Sequence, residues 1–433
     1  MGENARPAQL PALTGLRFLA ALCVVVAHGA GAMTNLPAGN PLWRVYLTSL
    51  AAFGMTLFFV LSGFVIHYNY SEQITKYHWR GIGNFLIARF ARLYPLYIVS
   101  VLLVLFEQGV FVNAWLGDVA ATTNVKFVLP IYLTMTQSWI YAVLGEFSLI
   151  YQYPSLWVMQ VSWSISTEWF FYLIYPLICV LLNRFSRTHL VWAVLLTALV
   201  ALSGMGVAFY GVHAIDRFGE SHFGPIAGIT HGEQDSFFRW LLYFSPYSRI
   251  SEFLIGCLVA ALYRGLLENP LSLREWRAGR TIPYLALALA VGLNIIMFLP
   301  SYPFPFLSFL QRNFGFAIPV ALLLFGLARY ETRLGRTLSC NWMVACGDAS
   351  YSIYLLHGLI IPNAGLATLP VGQSSVITSI VLVRLIVVIV VIIGFSMVTY
   401  RVVEYPARRF LRRVLTIRLK QPRAELSPTL VSS

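Results

Sequence analysis

The stretch LTGLRFLAALCVVVAHG (13–29) has the apolar length of a membrane-crossing helix, yet Arg17 and His28 bracket its middle. A span takes about 20 mostly apolar residues. Ionisable side chains within a bilayer are costly, and where they occur they mark pathways or function. Eleven residues of helix separate the two by about 16 Å and rotate them by about 20°, so they share one face. Arg17 falls at one membrane edge and His28 in the opposite half. The ordinary readings are a snorkelling anchor for Arg17 and an interhelical hydrogen bond for His28. The other reading is a common cavity. A neutral imidazole takes up a proton near pH 7, as a general base must.

The rest of the chain has the same character. Of 433 residues, 58% are hydrophobic and 11% charged, where soluble domains carry about 25% charged residues. A water-soluble fold could not hide that much apolar surface. The first apolar run is longer than a signal-peptide core and leads to no small-x-small cleavage site, so it reads as a retained helix. The predicted fold is all-α and polytopic. About ten transmembrane helices are expected, at 13–33, 51–70, 93–112, 161–183, 188–211, 237–264, 281–300, 313–330, 347–366 and 376–402. The segment 127–150 holds Pro130, Thr134, Thr136, Gln137, Ser138 and Glu146 and is expected to be re-entrant or interfacial. With the N-terminus cytoplasmic, most of the 30 Lys and Arg then fall on cytoplasmic segments, which places both termini inside. The net charge of +13 thus follows from topology and does not imply nucleic acid.

Residues 1–413 read as one integral-membrane domain, and 414–433 as a polar cytoplasmic tail expected to be disordered. The cysteines show no metal spacing and read as small buried hydrophobes. The polar external stretch 213–235 carries His213, His222 and His231 with Asp216, Glu220, Glu233 and Asp235. Their spacing fits no familiar zinc pattern, so a solvated or acceptor-facing loop is expected and no metal.

Five further segments carry chemistry-bearing residues. In LFFVLSGFVI (57–66), Ser62-Gly63 suggests close helix packing. In RFARLYPLY (89–97), Arg89 and Arg92 are neighbours at i,i+3. Two guanidiniums on one face suit a phosphate clamp as well as a topology signal. WSISTEWFFYLIYP (163–176) begins a span with Ser164, Ser166, Thr167 and Glu168. Glu168 is expected near the depth of His28, where a carboxylate could orient an imidazole. YSRISEFLIG (247–256) places Arg249 and Glu252 within an apolar run, by default a structural pair. CGDASYSIYLLHG (346–358) brings Tyr354 and His357 onto adjacent positions of a helix. Arg384 lies inside the last span, and VVEYPARRF (402–410) reads as its stop and anchor.

Together these segments resemble the acyltransferase-3 family of integral-membrane acyltransferases. The resemblance runs through Arg17 and His28, FFVLSGF, the Arg-x-x-Arg before YPLY, WSxSxE with FYLxYP, EFLxG and SYSxYLxH, and it covers nearly the whole chain. Where the family often has a second acid after WSxS, this chain has Trp169. The resemblance implies transfer of an acyl group, usually acetyl, from cytoplasmic acetyl-CoA or another acyl-CoA to a hydroxyl of a glycan or related acceptor at the outer face of a bacterial inner membrane. It implies His28 as the catalytic residue and Arg17, Arg89 and Arg92 as contacts for coenzyme A; Glu168 is expected to orient or balance His28. Ser62, Ser164, Ser166, Arg249, Glu252, Tyr354, His357 and Arg384 are candidates to line the path of substrate. Some relatives append a secreted esterase-like domain; without one, the chain is expected to act alone on a glycan or lipid-linked glycan. A small secreted metabolite is the alternative acceptor, and a flippase of lipid-linked glycan is the rival of another class. The oligomeric state is open, a homodimer being one option.

Overall fold

The computed structural model describes residues 10–33, 41–144, 147–149, 161–232, 235–267, 269–296, 305–363 and 379–416. Glu146, Glu233 and the tail beyond 416 lie outside them. The described chain is almost entirely helical. Six of its helices are long and apolar enough to cross a bilayer, or seven if one bent pair counts as a single span.

Helix α1 (Pro11–Met33) carries the opening stretch. Helix α2 (Pro41–Glu107) is 67 residues long, about 100 Å of helix against a hydrocarbon core of about 30 Å. It is therefore long enough for two spans. The break is His78, whose φ of 46° and ψ of −124° are not helical, and Tyr70 and Arg89 on its two sides meet in a hydrogen bond. The sequence reading of separate spans at 51–70 and 93–112 is corrected in one respect. No proline or glycine interrupts residues 64–80, so the helix runs on beyond residue 70 to the break at His78 before turning back.

A short apolar helix α3 (Val119–Leu133) follows. At about 22 Å it is shorter than a span. The chain turns at Met135, with φ 54°, into a two-residue antiparallel strand pair, Val143–Leu144 with Phe147–Ser148. The turn is pinned against the start of α4 (Trp163–Leu182). Gln137 donates to Ser162, and the Ser138 hydroxyl meets Ser166 at 2.9 Å.

Helix α5 (Arg187–Tyr210) is largely exposed along its length. The predicted span 237–264 divides at Ser245, because Pro246 starts a new helix, α6 (Pro246–Leu266). Helices α7 (Ile282–Ile296) and α8 (Ala317–Arg329) pack together. Helices α9 (Asn341–Asp348) and α10 (Ser350–Asn363) meet at a 63° bend, so 347–366 is a broken element. Helix α11 (Ser379–Thr399) leads through a short π-helical turn to α12 (Tyr405–Leu415).

The most extensive helix pairing joins α2 and α6. A Cβ on Gly63 would sit 2.0 Å from the Phe253 carbonyl oxygen, and one on Gly256 equally close to that of Val60. The two backbones touch there, the geometry small residues permit between membrane helices. Next to this crossing, Arg249 and Glu252 form a fully buried ion pair at 2.9 Å. Thr56 of α2 donates to Glu252, and Arg249 donates to the Tyr243 and Asn313 carbonyls.

Candidate functional site

A narrow cavity of about 50 Å³ opens between α1, α2, α4 and α10. Its charged lining is Arg17 from α1, Arg89 and Arg92 from α2, and Glu168 from α4. Phe58, Leu61 and Val65 are among its apolar walls, and Ser62, Ser164 and Tyr354 line it as well. The tertiary fold thus joins residues that lie up to 337 positions apart in the chain, between Arg17 and Tyr354.

The basic end is built in layers. Arg89 is 5% exposed, and its guanidinium donates 2.7 Å to the Tyr70 hydroxyl. It also lies over the Tyr70 and Tyr172 rings, a favourable placement for a cation. Its Nε is buried without a hydrogen-bond partner. Tyr172 donates to Glu168, and Ser62 donates 2.8 Å to the same carboxylate oxygen. Glu168 stands in the field of Arg17 and Arg89.

Arg408 joins this group from α12, a residue that sequence reasoning assigned to an anchor. Helix α12 lies along α2, and Arg408 is partly buried within reach of the charges of Arg92, Arg89 and Arg412. The turn that leads into α12 is fastened by Ser352, which donates 2.6 Å to the buried Glu404. The available signal was the pattern of α12, whose basic and apolar residues segregate onto opposite faces. The exposed Asp348 lies in the field of Arg17, Arg92 and Arg408. Guanidiniums therefore outnumber carboxylates at this end, an arrangement suited to a polyanion.

At the other end Ser164 donates 2.7 Å to the Tyr354 hydroxyl, which donates to the Val161 carbonyl. His28 lies outside the cavity lining and is linked to it through His357, whose ring meets that of the lining residue Tyr354. The His28 Nδ1 is 2.8 Å from Nε2 of His357, and with centroids 5.1 Å apart and planes 21° apart the two rings meet edge to edge, nearly coplanar. His357 is buried at 1% exposure, whereas His28 is exposed. Among the described residues the side chain hydrogen-bonded to His28 is thus His357. Glu168, expected at its side, is held by Ser62 and Tyr172 among the arginines.

The remaining candidates separate from the cavity. Ser166 is fully buried and engaged by Ser138. Arg249 and Glu252 serve the α2–α6 crossing. Arg384 is exposed on α11. Among the described residues no group of three His, Cys, Asp or Glu is placed to hold a metal ion; His222 of the 213–235 stretch instead contacts Ser221 and the Phe218 carbonyl.

The profile of a family described as an acyltransferase domain matches residues 10–401. Acyltransferase MdmB of Streptomyces mycarofaciens is 28% identical over 361 residues, covering 82% of this chain and 80% of that protein. Nodulation protein 10 of Rhizobium leguminosarum bv. viciae is 23% identical, covering 80% and 81% respectively. Protein 2 in picA locus of Rhizobium radiobacter is 37% identical over 100 residues, 22% of this chain and 44% of that protein. No solved structure matches.

Proposed function

The chain belongs to this acyltransferase family, and we propose that it carries an acyl group, acetyl first, from cytoplasmic acyl-CoA to a hydroxyl of a glycan at the outer face of a bacterial inner membrane. Transfer rather than transport is the chemistry the family name denotes. In this reading ten spans place both termini, Arg17 and α12 on the cytoplasmic side, where coenzyme A is found.

The observation that carries the reading is the cavity lined by Arg17, Arg89 and Arg92 and by the apolar Phe58, Leu61 and Val65, with Arg408 in the field of Arg89 and Arg92 beside it. The basic end takes the phosphates of the donor. The pantetheine arm lies along Phe58, Leu61 and Val65, spanning the roughly 16 Å from Arg17 to His28. At the far end the acceptor hydroxyl attacks the thioester carbonyl. His28 takes the hydroxyl proton, the C–O bond forms and the C–S bond breaks. The departing thiolate then recovers the proton from the imidazolium. General-base assistance of this kind contributes about 10²–10⁴-fold. Glu168 keeps one negative charge among the guanidiniums, limiting their mutual repulsion when the donor is absent.

The test uses purified full-length protein in nanodiscs with labelled acetyl-CoA and an extracted surface glycan. Acetylated glycan and free CoA are expected. His28→Ala should abolish transfer and still bind CoA. Wild-type turnover by that variant would refute the role of His28, and hydrolysis of acetyl-CoA without any acetylated glycan would refute the acceptor class.

A further inference from the structure

The contact between the two histidines fixes more than their proximity. His357 Nδ1 faces the carbonyl oxygen of Tyr354, one turn earlier in α10. A carbonyl only accepts, so His357 carries its hydrogen on Nδ1. In a neutral imidazole the second nitrogen is then a bare lone pair. That nitrogen, Nε2, is the atom 2.8 Å from His28 Nδ1. A contact of this length between two nitrogens requires one hydrogen, and His28 must supply it. His28 is therefore protonated on Nδ1 and bare on Nε2.

We propose that His357 is a positioning residue that holds His28 in this tautomer and makes His28 Nε2 the atom that takes the acceptor's hydroxyl proton. The proposal rests on the reading of His28 as the base. The burial pattern matches the two roles, with His28 open and His357 sealed. His357 stands where other enzymes place a carboxylate against the catalytic imidazole, and the Tyr354 carbonyl orients His357 in turn. When Nε2 gains the proton, His28 becomes an imidazolium and its Nδ1–H bond to His357 becomes charge-assisted and stronger. The proton then passes from Nε2 to the CoA thiolate. His357 finishes the cycle with the proton it began with. Tyr354 acts twice in this arrangement, its hydroxyl lining the donor cavity and its carbonyl setting the histidine pair.

Nitrogen-15 NMR of the full-length protein, labelled at histidine and held in nanodiscs, reads the tautomer directly, with the His28 signals assigned by their loss in His28→Ala. The expected wild-type result is a protonated Nδ1 and an unprotonated Nε2. His357→Leu should relax that preference and lower kcat by about 10²-fold, with the KM for acetyl-CoA within about twofold of wild type. His357→Gln offers its side-chain oxygen to the His28 Nδ1–H and should recover most of the lost rate. His28 protonated on Nε2 in the wild type would overturn the proposal, as would Leu and Gln variants that are equally slow or equally fast. The wild-type spectrum decides even if a variant fails to fold. Acyl transfer surviving in His28→Ala would overturn the base assignment together with this proposal. Loss of transfer in His28→Ala beside full activity in His357→Leu would overturn the positioning role alone.

Discussion

Ser62 of α2 and Tyr172 of α4 donate to one and the same oxygen of Glu168, so a single carboxylate ties two helices together beside three arginines. The two functions of that carboxylate, as acceptor and as charge, can be separated. Glu168→Gln keeps an oxygen for both hydroxyls and removes the charge, so CoA should bind several-fold more tightly at low salt. Glu168→Ala leaves both hydroxyls without their acceptor and should cost about 1–3 kcal/mol of stability. Calorimetric CoA titration and thermal unfolding, run on both variants, check this; identical behaviour of Gln and Ala would contradict it.

Arg408 should behave as part of the donor site and Arg409, its exposed neighbour in sequence, should not. Arg408→Gln is expected to weaken CoA binding about tenfold, the worth of one charge-assisted hydrogen bond, and to flatten the salt dependence. Arg409→Gln and Arg384→Gln should leave the affinity within about twofold. Equal losses at 408 and 409 would mean that α12 acts only as a basic surface.

The buried pair at the α2–α6 crossing gives a prediction about stability rather than chemistry. Glu252→Leu leaves the Arg249 cation buried without its partner, and should destabilise the protein by about 3–5 kcal/mol. Arg249→Met combined with Glu252→Leu removes both charges and should be far milder than either single change. Denaturation of the four proteins in one detergent tests the ordering.

Gly63→Val should prevent α2 and α6 from closing, since even a Cβ lies 2.0 Å from the Phe253 carbonyl oxygen. Loss of folded, monodisperse protein is expected. At Gly206, where nothing stands within 4 Å of a built Cβ, alanine should be tolerated and slightly stabilising, since it is the better helix former by about 0.5–1 kcal/mol. Size-exclusion profiles of the two variants distinguish a packing contact from a general intolerance of substitution.

The topology proposed above predicts that a cysteine replacing Ser186, between α4 and α5, reacts with a membrane-impermeant reagent only from the cytoplasmic side. Labelling from outside would invert the bundle and remove Arg17 from the compartment of the donor.

The stretch 13–29 shows where reading by sequence succeeded and where it stopped. Helical periodicity put Arg17 and His28 on one face at different depths and suggested a common cavity; Arg17 lines the cavity and His28 does not. The sequence allowed each histidine an interhelical hydrogen bond but not the partner, because His357 lies 329 positions from His28. Proximity in sequence suggested nothing about Glu168 either. Its place among the arginines follows from how α4 leans on α2. Arg408 was hidden for a simpler reason. A run of arginines after the last span satisfies the positive-inside rule whether it faces lipid headgroups or folds back onto α2, and only the packing of α12 distinguishes the two.

Composition and periodicity by themselves determined that this chain is a helical membrane protein. Apolar stretches of bilayer length have no other stable solution, since every backbone group must be satisfied within its own helix. The order of the motifs also determined the family. What the tertiary structure alone decided is which of the polar residues meet. Helix periodicity fixes direction around an axis and depth along it, but it does not fix which helix stands opposite. That choice came from backbone contact at Gly63 and Gly256, the bend between α9 and α10, and the return of α12. Together they gather the arginines in one cavity and set a pair of histidines behind its lining residue Tyr354.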